Sequence, residues 1–599
     1  MAATFYRVEN PRMRVLFLWP VIAAGAVCAV SQNVLGESET NLHRLADQYW
    51  DARMERYPTA ATAQGDYRFN DRLEDLSLEG EKRWQNRLER FLAGVEAFST
   101  DNLSAEDRLT HDLFKRTIRD ELLLLECDLS LTSLDPLDGP HLKFPLILVS
   151  QPFRNEQDFE NYVQRLKAFP KQVDEMIATM RVGLADRIIS PKVLVEKVLP
   201  QLRTHIVENV EQSEFYKPVR TMDSIDESKR QSLTDEIAKA ITNEVVPAYE
   251  KLLRFAEQEY LSHCRSTVGI GERPGGLEAY EKLIYINTTV KLKPDDIHQL
   301  GLSEVARIRR EMSKIKDEVG FKGSLDEFLT HMRTDPKYRF QSGEELYAAA
   351  DRILQRAKSQ MPKLFRRLPK ADCVMKEIEA FRAPSSPVAY YNPTPEDGSR
   401  PGYYYINTYA PQERLRFTLE ALSYHEAVPG HHFQMALHQE DKDLPKFRRY
   451  GSFTAYVEGW ALYTEKLGYE IGGYQTPEDR FGQLTFEMWR ACRLVVDTGM
   501  HAKGWTRQQA IDFMTSNTSL APLDIESEID RYISWAGQAL AYKIGELRIL
   551  DLRKLAEEKL GSRFDLRAFN DRLLADGPMP IDMLEARVRA WIAEQASKN

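Results

Sequence analysis

The chain has 599 residues, with 81 lysines and arginines against 91 aspartates and glutamates, a formal net charge of −10 at pH 7. At 43% hydrophobic and 10% aromatic it can bury a large core, which excludes a disordered or fibrous chain; the acidic balance, with no long basic run, excludes nucleic acid as the main partner. At roughly 100 to 200 residues per domain, the length allows three or four domains.

Arg7, Arg12 and Arg14 precede an uncharged apolar stretch from Val15 to Val30 that is interrupted by Pro20. Residues 1–31 therefore read as a signal peptide or membrane anchor. The shortness of the apolar run and the small residues Ala29 and Ser31 favour cleavage. Lipid attachment at Cys28 is the minority alternative, and an uncleaved anchor is a third. The expected location is exported, periplasmic or extracellular, with membrane contact only through an uncleaved or lipidated N-terminus. Beyond Cys28 the cysteines Cys127, Cys264, Cys373 and Cys492 are far apart and read as free thiols.

From about Leu42 the dominant pattern is helical, with apolar residues three and four apart in charged segments such as Trp84–Phe98 and Leu109–Leu125. Further long helical patterns cover Phe159–Leu184, Glu236–Leu261, Pro294–Val319, Gly343–Met361 and Ala539–Leu560. The expectation is a mainly α fold in which residues 32–599 form one large helical body. A Gly/Pro-rich break at Gly269–Gly276 allows a division into an N-terminal half, 32–268, and a C-terminal half, 277–599. Between Ala380 and Gln412 two β-prone runs, Val388–Tyr391 and Tyr403–Asn407, flank a loop rich in proline and glycine, which is a hairpin signal.

Four of the twelve histidines lie between His425 and His438, the first three of them in the stretch SYHEAVPGHHFQ. A zinc-peptidase helix carries His-Glu-x-x-His, in which two histidines one turn apart share a metal and the glutamate acts on the water that the metal activates. Here the position four after His425 is Pro429. On an ideal helix His431 would be rotated by about 240° and raised by about 9 Å from His425, and His432 would stand about 10.5 Å away. A shared metal therefore requires a broken helix. Pro429 removes a backbone donor and Gly430 permits unusual backbone angles, so the pair is suited to looping out. A catalytic zinc usually takes a third protein ligand. Glu458, on a predicted helix that is apolar on several sides, is the best candidate, and Glu465 is the reserve ligand or a partner for a ligating histidine. His501, four residues after Asp497, is a candidate electrophile oriented by that carboxylate.

The stretches YYYINT, HEAVPGHHFQ, YVEGWALYTEKL, VDTGMH and RYISWAGQALAYKIG together resemble the bacterial family DUF885 over nearly all of the chain beyond the export signal. More distantly, HEAVPGHHFQ and the later Glu458 are similar to the gluzincin peptidases of the angiotensin-converting-enzyme and oligopeptidase type. That resemblance implies a large helical zincin-like fold with a central channel, one zinc ion, and a small β-hairpin or sheet beside the active-site helix. It implies His425, His431 and Glu458 as ligands, with His432 and Glu465 as alternatives, and Glu426 as general base. The Tyr403–Asn407 strand, with Tyr404, Tyr405 and Asn407, would align a peptide substrate. Arg531 and Tyr532 look like the pair that binds substrate and steadies the oxyanion in converting-enzyme-like peptidases.

The expected function is an exported zinc metallopeptidase acting on short peptides. Two alternatives share the residues: a metal-dependent hydrolase of a non-peptide amide or ester, and a secreted peptide-binding protein on a peptidase scaffold. Two histidines and a carboxylate also suit iron.

Overall fold

The computed structural model describes residues 34–378, 383, 387–394, 398 and 400–598. Residues 1–31, read as an export signal, lie outside the described residues. The chain is mainly helical with one small sheet, as its periodicity predicts. The elements that shape the molecule are helices α1 (Val34–Arg56), α2 (Leu78–Glu96), α3 (Ala105–Leu125), α4 (Glu156–Asp186), α5 (Pro294–Glu318) and α6 (Gly343–Leu364). Strands β1 (Cys373–Glu377), β2 (Ala389–Asn392) and β3 (Gly402–Ile406) follow. The C-terminal part adds α7 (Leu419–Glu426), α8 (His431–Gln439), α9 (Thr454–Leu467), α10 (Pro477–Lys503), α11 (Pro522–Ser534) and α12 (Ala541–Leu560).

Local chemistry sets many helix starts. Ser77, Ser104 and Asn155 cap α2, α3 and α4 by accepting a backbone N–H of the first turn. Thr476 and Asp479 form a reciprocal capping box ahead of α10, with Pro477 in its first turn. In α2 only Gly80, Trp84, Leu88 and Val95 are buried, the stripe of a surface helix. In α10 every residue from Phe481 to His501 except Trp489 is buried, so this helix is the axis of the C-terminal body.

Burying α10 also buries its charges, and these are paired. Lys543 of α12, fully buried, contacts Glu487 at 2.7 Å, Glu546 at 2.7 Å and Glu304 at 3.1 Å. Lys466 reaches Glu487 at 3.0 Å, and Arg307 bridges Glu304 and Glu487. This ionic knot ties α5, α9, α10 and α12 together. Nearby, α9 and α12 cross backbone to backbone: a Cβ on Gly459 would lie 2.5 Å from the Cα of Gly545. Only glycine permits that approach, and it fixes the height of Glu458, one residue before Gly459.

A separate apolar core is built from residues between Leu134 and Tyr260. Residues 42–118 instead share a core with residues from Phe340 to Ile592, so the chain returns to the C-terminal body from both ends. The Gly269–Gly276 segment is not an open linker: a Cβ on Gly269 or Gly271 would collide with the backbone carbonyls of Met500 and His501, at 2.1 and 2.3 Å. Cys127, Cys264, Cys373 and Cys492 are free thiols.

The predicted hairpin is present, with β2 antiparallel to β3 in the register Ala389 to Ile406. The sequence did not indicate β1, which pairs parallel with β3 from Cys373 opposite Gly402. The strand order β1-β3-β2 puts β3 in the centre and β2 at an edge, packed against α7 and α8.

Candidate metal centre

The helix carrying His425 ends at Glu426, where Ala427 leaves helical geometry at φ −104° and ψ −100°. The Val428–Pro429 peptide is cis, and Gly430 adopts φ −75° and ψ −129° before α8 begins at His431. Gly430 sits directly on the last-turn carbonyls of α7: a Cβ there would be 1.9 Å from the His425 oxygen and 2.3 Å from that of Tyr424. The Pro-Gly break thus folds the chain back on itself. His431 returns beside His425, with ring centroids 4.9 Å apart at 85°.

Helix α9 clamps this turn from the other side. Trp460 Nε1 donates to the Pro429 carbonyl at 3.0 Å, and Thr464 Oγ1 donates to the Tyr424 carbonyl at 3.0 Å. The same helix brings Glu458 to the histidines, its Oε2 standing 3.5 Å from Nε2 of His425 and 3.5 Å from Nε2 of His431. Ligand atoms from these three residues all lie within 4.8 Å of one another.

These distances fit a metal better than hydrogen bonds. Two ligands about 2.0 to 2.2 Å from a tetrahedral zinc stand about 3.3 to 3.6 Å apart. Glu458 Oε2 is buried and has no hydrogen-bond partner among the described residues, an arrangement that is costly unless a cation completes it. Although burial opposes its ionisation, His431 and His425 hold the Glu458 carboxyl well below the usual carboxylate range. The His425 ring, despite burial, is pushed up to about 9 by Glu458 and Glu465.

Glu465 stands behind His425, outside the group formed by His425, His431 and Glu458. Its Oε1 accepts from His425 Nδ1 at 2.9 Å, with Arg490 Nη2 3.5 Å behind it, which fixes the tautomer and turns Nε2 toward Glu458. His432 is also removed from the ligand set, because its Nδ1 lies 3.0 Å from the Tyr391 hydroxyl, facing the sheet. Consecutive helical residues point about 100° apart, so only one of the pair can return to His425. Glu426, beside the ligands and partly exposed, has its carboxyl raised by burial against the opposing charges of His431 and His425.

The structure does not bring the other predicted site residues into this centre as free groups. Strand β3 has neighbours on both sides, so its backbone cannot align a peptide. Tyr404 is fully buried and paired with Ser423, Tyr405 stacks on Tyr390 at 4.8 Å, and Asn407 Nδ2 donates to the carbonyls of Ala383 and Pro387. All three serve the fold of the sheet. The Tyr532 hydroxyl accepts from Trp489 Nε1 and Arg493 Nε and donates to Glu528 at 2.6 Å, which fills its hydrogen-bonding capacity. Arg531 is held by Glu528 and Gln538.

His501 is likewise structural. Its Nδ1 accepts the Ile270 N–H at 3.1 Å and its Nε2 donates to the Tyr532 carbonyl at 2.9 Å, so it clasps the Gly269–Gly276 segment to α11. Burial lowers its pKa to about 4. Asp497 does not orient it; that carboxyl accepts from Tyr280 and Gly537 instead.

One residue not singled out from the sequence does face the ligands. The Tyr542 ring lies parallel to that of His425, 12° between planes and 6.4 Å between centroids, with the Arg493 guanidinium 4.2 Å from its own centroid. It lies in the stretch RYISWAGQALAYKIG, but nothing in its spacing sets it apart from a packed tyrosine.

The helical fold and a His-His-Glu centre at a broken helix define a helical protein with a candidate mononuclear metal site. The chain belongs to the family described as bacterial protein of unknown function (DUF885), which it matches over residues 58–588. Its fold is similar to that of a "putative lipoprotein" from Colwellia psychrerythraea, at 31% identity and a TM-score of 0.87 over 93% of this chain and 99% of that one. It is also similar in fold to a "putative lipoprotein of unknown function" from Shewanella oneidensis, at 18% identity and a TM-score of 0.71 over 91% and 99%. No curated protein matches the chain.

Proposed function

We propose that the protein is an exported zinc-dependent peptidase acting on short peptides. The observation that carries this reading is the placing of the unpartnered Glu458 Oε2 at zinc-ligand spacing, 3.5 Å, from both His425 Nε2 and His431 Nε2. A zinc ion held there would supply a Lewis acid for a carbonyl and for an attacking water. Glu426 takes the proton from that water and delivers it to the leaving amine. Tyr542, whose ring lies parallel to that of His425, is the candidate donor to the oxygen on which charge develops, in place of Tyr532 and His501. An extended peptide would pair with the edge strand β2, which has only β3 as a partner among the described residues.

Export is supported by the N-terminal pattern, and the "putative lipoprotein" from Colwellia psychrerythraea favours attachment through Cys28. No helix among the described residues is long and apolar enough to cross a membrane.

The test pairs metal analysis with a substrate screen. Wild type is expected to carry one zinc per chain and to cleave unstructured short peptides, while Glu426→Gln keeps the zinc and loses hydrolysis by about 100-fold or more. A chain that binds no zinc, or a Glu426→Gln variant with full activity, would count decisively against the proposal. Turnover of other amides or esters with peptides left intact would transfer the site to a non-peptide substrate.

A further inference from the structure

We infer that a cavity between the Leu124–Leu134 segment and the C-terminal end of α11 binds an organic carboxylate with an apolar body. The inference is independent of the proposed peptidase activity. The cavity has a volume of about 410 Å³, within the usual range for small-molecule sites. Leu124, Leu134, Ile189, Val268 and Trp535 give it apolar walls, and two guanidiniums, Arg265 and Arg273, line it as well.

These arginines lack a counter-ion. Arg265 Nε donates to the Ile189 carbonyl at 2.8 Å, and its Nη1 to the Gly269 carbonyl at 2.7 Å and to Thr267 at 3.2 and 3.3 Å. Arg273 Nη2 donates to the Cys127 carbonyl. All of these acceptors are neutral, and no ion pair to either arginine is found among the described residues. Asp128 and Glu272 contribute only at a distance, and burial is the main influence on both arginines, lowering their pKa values. The two acids in the cavity wall are already engaged: Asp135 accepts the N–H groups of Leu137 and Asp138, and Asp138 pairs with Lys143 at 2.9 Å.

Two of the lining residues hold a buried polar atom without a partner. Arg273 is only 6% exposed and its Nε has no acceptor, and the buried Ser534 Oγ has no partner. A buried guanidinium without a counter-ion on the wall of an apolar cavity is what a carboxylate completes. A neutral ligand would leave the charge uncompensated, and an inorganic anion would leave the apolar walls unfilled. Gln538 also lines the cavity while accepting from Arg531 Nη1 at 3.0 Å, so the wall adjoins the cluster around Tyr532. The carboxylate can therefore come from the C-terminus of a peptide or from a free amphiphile.

Calorimetric titration of the full chain distinguishes these sources. The probes are octanoate and octanamide, and N-acetyl-Leu-Leu as acid and as amide. At least one carboxylate is expected to bind about tenfold or more tightly than its amide, and Arg273→Gln to weaken it by about tenfold, the cost of one charged hydrogen bond. Octanoate binding identifies an amphiphile site; binding of the peptide acid alone identifies a peptide C-terminus. Ser534→Phe, which adds bulk at the cavity wall and leaves both arginines in the sequence, is expected to abolish binding and stands in if Arg273→Gln does not fold. Carboxylates that bind no better than their amides, or retain full affinity in either folded variant, would overturn the inference.

Discussion

Gly430→Ala isolates the step by which the broken helix would make the proposed metal site. The new Cβ would fall 1.9 Å from one backbone oxygen and 2.3 Å from another, and real Cβ atoms essentially never come within 3.0 Å of such a neighbour. Neither oxygen is free to move, because the turn is pinned by Trp460 and Thr464. His431 and the start of α8 must therefore shift by about 1 Å, well beyond the roughly 0.2 Å tolerance of a metal–ligand bond. If structural zinc is worth about 10 to 16 kcal/mol over four ligands, losing one costs about 3 to 4 kcal/mol, a weakening of roughly 100- to 1000-fold. Competition with a chromophoric chelator at fixed pH measures this, with circular dichroism and melting of the metal-free protein as controls for folding. A folded Gly430→Ala protein that binds zinc within threefold of wild type would refute the account of how His431 reaches the metal.

His432→Ala should keep zinc affinity within about twofold, whereas His431→Ala should lose about 100-fold or more, and the reverse order in the same chelator assay would exchange their roles. Lys543→Met leaves Glu487, Glu546 and Glu304 around a missing cation, so chemical denaturation should show a loss of about 3 to 5 kcal/mol. A loss below about 1 kcal/mol would mean that the knot is dispensable. His205, stacked on Tyr249 at 4.5 Å, is lowered to about 4 by burial. A base depressed in the fold contributes stability that is present above its unfolded pKa of about 6.5 and is lost as pH falls toward 4, about 2 kcal/mol of it by pH 5. His205→Phe keeps the stacking and removes the proton site, so its melting temperature should fall less between pH 7 and pH 5 than that of wild type; an unchanged slope would show that His205 does not titrate across folding.

Much of the fold was readable in the residues because helix periodicity is local. The predicted patterns at Leu109–Leu125, Phe159–Leu184, Pro294–Val319 and Ala539–Leu560 meet the observed helices within a few residues of each end. The hairpin was marked by its own turn residues. Strand β1 was not, because what makes Cys373–Glu377 a strand is its pairing with β3, about 30 residues away.

The site divides in the same way. His425, Glu426, Pro429 and Gly430 announce a metal motif with a broken helix in one short stretch, and Glu458 follows from a carboxylate on an apolar helix. Those assignments depend on residue type and on neighbours a few positions apart, which the sequence alone displays. Whether a polar group is free for chemistry depends instead on partners that only folding brings near. His501 is consumed by Ile270 and Tyr532, Tyr532 by Trp489, Arg493 and Glu528, and Asn407 by the loop beside the sheet, while Tyr542 is laid over His425 by the crossing of α9 and α12. Which of His431 and His432 lies beside His425 rests on the direction in which the chain leaves Gly430, and the tertiary clamp of α9 sets it.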